Sequence, residues 1–162
     1  MAWTSTNHTS VEAPLRPLLE LVTRGCAALG CDGICLHLLS AERDSILLQV
    51  VSSGYMAGPT TQCMPLDTCP AVRACIGRGD TIVVPDALED ERVANRAIER
   101  FKIRACVYVP LRVGDQREGI VIASFRTAHP WSSAEVAAVR KLARGAEAML
   151  AIRDEALVRS SG

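Results

Sequence analysis

Two long apolar stretches close to each other constrain the fold of this chain more than any other feature. The first is KIRACVYVPLRV, from residue 102, and the second is GIVIASFRT, from residue 119. Both are rich in β-branched residues, and the polar segment between them contains the Gly114–Asp115 pair, which is typical of a tight turn. The sequence therefore predicts two adjacent antiparallel strands joined by this turn.

A short helix is predicted before these strands, over residues 69–77. Thr68 can cap it, and Pro70 is tolerated in its first turn because the first amides of a helix have no intrahelical partner. Gly77 and Gly79 are expected to end the helix.

A strand and a second helix connect this first helix to the two long strands. Residues 81–84 are apolar and stop at Pro85–Asp86, and Asp90 is placed to cap the second helix. One face of that helix would carry its apolar residues, which are Val93, Ala97, Ile98 and Phe101.

This order of elements resembles the GAF domain, a small sensory module. The first long strand ends in the Val109–Pro110–Leu111 pattern of that family, and Gly119 opens the last strand as the family pattern does. The resemblance implies an α+β fold with a central antiparallel sheet of five or six strands. It also implies terminal helices on one face of the sheet and a ligand pocket under short helices and loops on the other face.

The N-terminal part supplies a helix and two more strands. Apolar residues recur at three- and four-residue steps from Pro14 until Gly30, which indicates an amphipathic helix. Residues 33–39 and 46–51 are predicted strands around a polar turn, with both faces apolar. We expect a disordered tail at 1–10, a single domain at 11–158, and a tail or the start of a linker at 159–162.

The last helix begins at a capping-box pattern formed by Ser132 and Glu135 and is predicted to run to about residue 158. Two apolar stripes follow its length, and we expect one to pack on the domain and the other to pair with a second subunit. Glutamate at Leu150 and Leu157 would then be expected to give a monomer. The stripes consist of Val136, Ala143, Leu150 and Leu157, and of Leu142, Met149 and Ala156.

Composition excludes some classes of partner. The formal net charge is zero, so no basic excess exists to bind nucleic acid by bulk electrostatics. No apolar run approaches the length of a membrane span, and residues 1–10 lack the pattern of a secretory signal. We therefore expect a cytoplasmic protein that binds neither nucleic acid nor membrane.

The chain has seven cysteines, an odd number that cannot all pair, and no C-x2-C pair that would indicate a metal site. Most are expected to be packed, reduced thiols. Cys69 lies where a helix begins, a position that favours the thiolate. The GAF resemblance includes a branch that reduces free methionine sulfoxide with pocket cysteines, and it implies Cys63, Cys69 and Cys75 as the possible redox residues. Cys63 and Cys69 are the better pair, because Cys63 lies in a predicted loop.

The ligand site is predicted beside the long loop at residues 52–66 and beneath the short helices. The expected ligand-binding residues are Cys69, Val72, Asp86, Phe101, Cys106 and Tyr108. For Asp86 the alternative is that it braces its own turn and does not contact the ligand.

The sequence leaves the cofactor unknown and argues against two candidates, covalent bilin and haem. The bilin-binding branch of the GAF family attaches its chromophore through a Cys-His pair, and the matching positions here are Val93 and Ala94. Asp67–Thr68–Cys69 is similar to a second motif of that branch, but covalent bilin is not expected without the attachment pair. His37, alone in an apolar strand, is expected to be a hydrogen-bonded core residue and not a haem or metal ligand.

No phosphate-binding loop, zinc-protease motif or nucleophile elbow is found, so no catalytic residue is predicted. The favoured function is a non-catalytic sensory domain of bacterial signal transduction. It would bind a small molecule and act on a linked or separate kinase or regulator output domain through dimerising terminal helices. Two alternatives are a thiol redox sensor or methionine-sulfoxide-reductase-like enzyme that uses Cys63, Cys69 and Cys75, and a structural dimerisation module with an empty pocket.

Overall fold

A computed structural model describes residues 15–40, 46–54, 63–93, 96–113 and 117–160. Its four helices are α1 (Arg16–Leu29), α2 (Pro70–Arg78), α3 (Arg96–Phe101) and α4 (Ser133–Ser160). Its six strands are β1 (Gly33–Leu39), β2 (Ile46–Gly54), β3 (Cys63–Pro65), β4 (Ile82–Val84), β5 (Ala105–Val113) and β6 (Arg117–Phe125).

The strands form one antiparallel sheet in the order β3-β2-β1-β6-β5-β4. The two long apolar strands, β5 and β6, pair as the sequence predicts, and β6 also pairs with β1. Side chains alternate between the two faces of the sheet, so each cross-strand row belongs to one face. The antiparallel fold with six strands confirms the predicted fold class.

One face of the sheet, the two-helix face, is covered by α1 and α4. The row Leu36, Val121 and Val109 runs across its centre and is buried. Gly25 of α1 lies so close to α4 that a Cβ atom there would be 2.2 Å from a methyl carbon of Leu142. The two terminal helices therefore pack on each other as well as on the sheet.

The opposite face, the short-helix face, is covered by α2, α3 and two 3-10 turns. The row Cys35, Ile122 and Tyr108 runs across it, parallel to the row on the other face. Val72 and Cys75 of α2 pack on this face and are completely buried. The predicted placement of terminal helices on one side and short helices on the other is confirmed.

The ends of the helices follow their local sequence in most places. Gly30 and Gly79 adopt left-handed conformations where α1 and α2 end. The capping box of α4 is formed: the Glu135 amide donates to the Ser132 hydroxyl at 3.2 Å, and the Ser132 amide donates to the Glu135 carboxylate at 2.7 Å.

Several local predictions are wrong. Cys69, not Thr68, is the N-terminal boundary residue of α2, because residues 66–68 form a 3-10 turn, and Gly77 lies inside that helix. Strand β3 occurs at the end of the segment predicted as a loop. The predicted helix from Asp90 is divided into a 3-10 turn, Glu91–Val93, and α3.

The proposed division of α4 into a core stripe and a partner stripe is also wrong for Leu150. Leu150 is 2% exposed and belongs to the core of the two-helix face, together with Ala143. The adjacent stripe packs on that core as well, through Leu142 and Met149. A glutamate at Leu150 would disrupt the domain itself, and the side chain of Leu157 lies outside the described part of the chain.

Candidate functional site

Five of the six residues predicted to bind ligand lie together on the short-helix face. Cys69, Val72, Cys106 and Tyr108 are each at most 3% exposed, and Phe101 packs against them while partly buried. They come from the start of α2, from α2 itself, from β5 and from the end of α3. The chain therefore brings these residues together from separated segments.

Asp86, the sixth predicted residue, lies at the turn that follows β4 and is held by Arg104. The guanidinium donates two hydrogen bonds to its carboxylate, from Nε at 3.0 Å and from a terminal nitrogen at 2.7 Å. The Leu88 amide donates a third at 3.1 Å. Arg104 is the main reason that the pKa of Asp86 lies below its ordinary value. These contacts fit the bracing role that the sequence also allowed.

Tyr108 joins two thiols of the short-helix face. Its hydroxyl group interacts by hydrogen bonding with the thiols of Cys106 and Cys69, and burial raises its pKa well above the usual 10. Because the phenol stays protonated, it can donate one hydrogen bond and accept another. Tyr108 therefore links the central sheet to the start of α2.

The buried thiols of this face are held in the protonated form. Burial raises the pKa of Cys35, Cys75 and Cys106 to about 12 in each case. A thiol is a far weaker nucleophile than a thiolate. Of the three possible redox residues, Cys69 and Cys75 lie in this cluster, and the side chain of Cys63 is outside the described part.

The acidic run at residues 89–91 does not form a metal site in the structure. The Asp90 carboxylate accepts a hydrogen bond from the Arg92 amide at 3.0 Å and pairs with the Arg92 guanidinium. That guanidinium is the main reason that the pKa of Asp90 is lowered. Within the described ranges, no group of three or more His, Cys, Asp or Glu side chains is arranged to hold a metal ion.

His37 and Gln49 form a polar position on the short-helix face that was not predicted as a ligand site. They are cross-strand partners on β1 and β2, beside Cys35 and Leu47 of the same face. His37 is 1% exposed, and burial lowers its pKa to about 4, so the ring is neutral at pH 7. Its Nδ1 atom and the Gln49 Oε1 atom are buried, and neither has a hydrogen-bond partner among the described residues. The expectation that His37 would be a hydrogen-bonded core residue is therefore not met at Nδ1.

A bulge in the sheet brings this pair together. Leu36 pairs with Val51, but His37 pairs with Gln49, so Val50 is an extra residue on β2. The Gln49 amide nitrogen donates one hydrogen bond to the Ser52 hydroxyl at 3.0 Å, and the amide oxygen has no partner among the described residues. The local sequence does not predict this register. A lone histidine in an apolar strand is the sequence feature that points to this position as unusual.

The positions that match the bilin attachment pair contribute no thiol. Val93 is fully buried on the short-helix face, and Ala94 lies outside the described residues. None of the helices in the described part of the chain is both long and apolar enough to cross a bilayer.

The comparison with protein families identifies the GAF domain. The sequence profile of the GAF domain matches residues 14–150. None of the curated proteins matches the chain in sequence.

Solved structures with the same fold include photoreceptor, transferase and reductase proteins. The blue-light absorbing form of the PixJ GAF domain of Thermosynechococcus elongatus has a TM-score of 0.72 and 18% identity, over 97% of this chain and 96% of that one. The free methionine-R-sulfoxide reductase of Neisseria meningitidis, in complex with its substrate, has a TM-score of 0.71 and 15% identity, over 96% and 98%. The GAF domain of an Acinetobacter phosphoenolpyruvate-protein phosphotransferase has a TM-score of 0.68 and 15% identity, over 93% and 97%. At these identities the similarity concerns the fold.

Proposed function

The chain belongs to the GAF domain family, and we propose that it is a non-catalytic sensory domain whose short-helix face binds a neutral small molecule. The observation that carries the proposal is the pair of buried, unpartnered polar atoms at His37 and Gln49. Burying a polar group without a hydrogen bond costs free energy, so such atoms are usually satisfied by something. A ligand that reaches this position would remove that cost.

The chemistry of the pair limits the ligand. The Gln49 amide oxygen can only accept, so the ligand has to offer an N–H or O–H donor. The buried polar or charged side chains of the described residues are His37, Ser52 and Ser124, and none is charged at neutral pH. An ionic ligand would therefore lack a buried counter-ion here. An amide, a lactam or an alcohol fits this environment better.

The residues predicted from the sequence to bind ligand supply the rest of the proposed binding surface. Cys69, Val72, Cys106 and Tyr108 form its apolar and thiol lining, and Phe101 lies at its edge. Asp86 acts by fixing the turn after β4 and does not contact the ligand. A ligand that extends from this pair across the face would reach α2, because α2 packs on β5 and β6 of the same face.

Native mass spectrometry of the purified protein, with a visible absorption spectrum, tests this proposal. A bound mass is expected, and His37→Phe and Gln49→Leu should each lower its occupancy. Leu48→Ala is the matched control, because Leu48 is next to Gln49 but is 37% exposed. Unchanged occupancy in both site variants would place any ligand elsewhere. A spectrum with a visible band would identify a coloured cofactor instead.

Signal output is proposed to pass through dimerising terminal helices to a kinase or regulator, linked or separate, in the bacterial cytoplasm. Ile152 of α4 is 68% exposed and Leu19 of α1 is 45% exposed, which supports an apolar contact between subunits. One protein of the same fold is described as a GAF domain/HD domain protein, from Geobacter sulfurreducens. We propose 11–158 as the single domain, with a tail at 1–10 and a tail or the start of a linker at 159–162, where α4 continues to Ser160. Light scattering tests the dimer, and a monomer at high micromolar concentration would contradict it.

A thiol reductase is the second candidate function. It is favoured by the Tyr108 hydroxyl, which connects the thiols of Cys69 and Cys106, and by the shared fold with a methionine sulfoxide reductase. The raised pKa of Cys106 works against it. Loss of free methionine sulfoxide in the presence of dithiothreitol, abolished by Cys69→Ser, would support this activity.

A further inference from the structure

Two cysteines on the two-helix face form a close pair that the proposed function does not use. Cys26 lies in the last turn of α1, and Cys31 lies between that helix and β1. The chain reverses direction between them at Gly30, whose φ angle of 64° is in the left-handed region. The turn that ends α1 therefore returns Cys31 to the side of Cys26.

The two sulfur atoms are 3.7 Å apart, within the distance of a thiol–thiol hydrogen bond. The Cys26 thiol also donates to the Cys31 carbonyl oxygen at 3.3 Å, and the Cys31 thiol is 3.7 Å from the Gly33 carbonyl oxygen. A disulfide needs a separation of about 2 Å, so a displacement of under about 2 Å closes the gap. Side-chain rotation supplies much of such a displacement.

Access separates this pair from the thiols of the short-helix face. Cys26 and Cys31 are each 8% exposed, whereas Cys35, Cys75 and Cys106 are completely buried and Cys69 is 1% exposed. A molecule the size of hydrogen peroxide needs only a small opening at the sulfur. The pair is therefore both close together and more accessible than the other described cysteines.

We propose that Cys26 and Cys31 are a reversible dithiol–disulfide site, oxidised by hydroperoxides. The Cys26 thiolate attacks one oxygen of hydrogen peroxide, the O–O bond breaks, and hydroxide leaves with the proton from Cys26 as water. Cys26 is then a sulfenic acid. The Cys31 sulfur attacks the Cys26 sulfur, the S–OH bond breaks, and hydroxide leaves with the Cys31 proton as a second water. Each sulfur loses one electron, and the peroxide gains the two.

The hydrogen bond between the two sulfur atoms gives the order of these steps. The Cys31 thiol donates toward the Cys26 sulfur at 3.7 Å, and burial raises the pKa of Cys31. We therefore assign Cys26, which accepts this hydrogen bond, as the first nucleophile and Cys31 as the resolving thiol.

Closure would act on the contact between the terminal helices. Cys26 follows Gly25, at which an added Cβ atom would lie 2.2 Å from a methyl carbon of Leu142 in α4. A disulfide would fix the end of α1 to the segment before β1. The state of the dithiol would therefore reach the helices that we propose to transmit the signal, without involving the ligand face.

Peptide mapping of the full chain tests the proposal. The reduced protein is treated with hydrogen peroxide, unfolded, alkylated, and digested with trypsin and an enzyme that cleaves before aspartate. Cleavage after Arg24 and before Asp32 isolates residues 25–31, which contain Cys26 and Cys31 only. Residues 32–43 contain Cys35, which serves as an internal control. The expected result is an unalkylated 25–31 peptide, lighter by two hydrogen atoms and restored by dithiothreitol, with Cys35 still alkylated.

Variants separate this result from random oxidation. Cys26→Ser should leave Cys31 alkylated, and Cys31→Ser should leave Cys26 as a sulfenic acid that dimedone traps. Cys35→Ser should not affect the link. The contrary result is alkylation of both Cys26 and Cys31 after prolonged exposure to peroxide, with Cys35 alkylated as well. That result would overturn the proposal. A link between residues 25–31 and 32–43 in the folded protein would overturn it as well.

Discussion

The two faces of one sheet are built from different kinds of side chain. On the two-helix face the central row is Leu36, Val121 and Val109, under two long helices. On the short-helix face the neighbouring row is Cys35, Ile122 and Tyr108, under short helices and turns. Apart from the Cys26–Cys31 pair, the first face consists of apolar packing, which stabilises the fold.

The short-helix face has a composition that packing alone does not require. Four described cysteines, a tyrosine and a histidine are buried there, and two polar atoms have no partner among the described residues. An unpartnered buried atom lowers stability unless water or a ligand satisfies it. This cost is found on the face where we propose ligand binding. Variants on the two faces should therefore differ in what they change.

The largest effect is expected for a charge in the core of the two-helix face. Leu150→Glu should lower the free energy of unfolding by about 4 kcal/mol, because a carboxyl group would be buried without a partner. Ile152→Glu is the matched control: Ile152 is 68% exposed on the same helix, so a change within about 0.5 kcal/mol is expected for the fold itself. Urea unfolding measures both.

The same two variants also test the dimer. If α4 forms the subunit contact, Ile152→Glu should give a folded monomer in light scattering, whereas Leu150→Glu should give unfolded or aggregated protein. A folded, stable Leu150→Glu protein would contradict the assignment of Leu150 to the core.

The next largest effect concerns His37 and the pH dependence of stability. Its folded-state pKa, about 4, lies below the ordinary 6.5, so the unfolded chain binds the proton more tightly. The contribution of neutral His37 is therefore fully present above pH 6.5 and is lost as the pH falls toward 4. The shift corresponds to a loss of about 3 kcal/mol in the free energy of unfolding.

His37→Gln isolates this contribution, since it cannot titrate. Three carboxyl groups, those of Asp86, Asp90 and Glu135, also have lowered pKa values. Their protonation reduces stability below about pH 4.5, which lies under most of the pH range in which His37 takes up its proton. Urea unfolding at pH 6.5 and 4.5 should show a steeper loss in the wild type than in the variant. Equal slopes would mean that the His37 ring takes up its proton as easily in the fold as in the unfolded chain.

Much of the fold could be predicted because its signals are local. Strand β1 occupies 33–39 as predicted, since a continuous apolar run ends at glycine on one side and at polar residues on the other. The capping box at Ser132 and Glu135 is a four-residue pattern and forms as expected. Family order supplied the rest, including which helices share a face.

The failures concern contacts between distant segments. A heptad pattern in α4 cannot reveal that both stripes, Leu150 included, pack on this chain's own core. Strand β3 has only three residues, too few for a periodic signal. The partnership of His37 and Gln49 depends on a bulge at Val50, which only the paired strands define. Five of the six expected site residues converge nonetheless, because they lie on elements whose order the family fixes.

A third prediction concerns Gly119 of β6, which pairs with β1 in the sheet. A Cβ atom there would lie 2.5 Å from the His37 carbonyl oxygen, which is backbone and cannot move aside cheaply. Gly119→Ala should therefore lower the free energy of unfolding by about 2 kcal/mol. Gly77→Ala is the matched control, because Gly77 lies inside α2 with open space around it, and a gain of about 0.5 kcal/mol is expected. Equal effects in thermal unfolding would contradict the close approach of β1 and β6.

The smallest effect is expected at the start of α4, where Ser132 and Glu135 form the capping box. Ser132→Ala removes the hydroxyl that accepts from the Glu135 amide, and should lower the free energy of unfolding by about 1 kcal/mol. The loss is limited because Glu135 keeps its contact with His129, at 2.8 Å, and the His129 amide keeps its bond to the Pro85 carbonyl oxygen. Ser133→Ala, one residue later and exposed, is the control and should change stability little. Since α4 covers only the two-helix face, ligand occupancy in native mass spectrometry should be the same in both variants. A lower occupancy in Ser132→Ala alone would mean that the two faces are coupled through α4. The two-helix face would then affect ligand binding as well as stability.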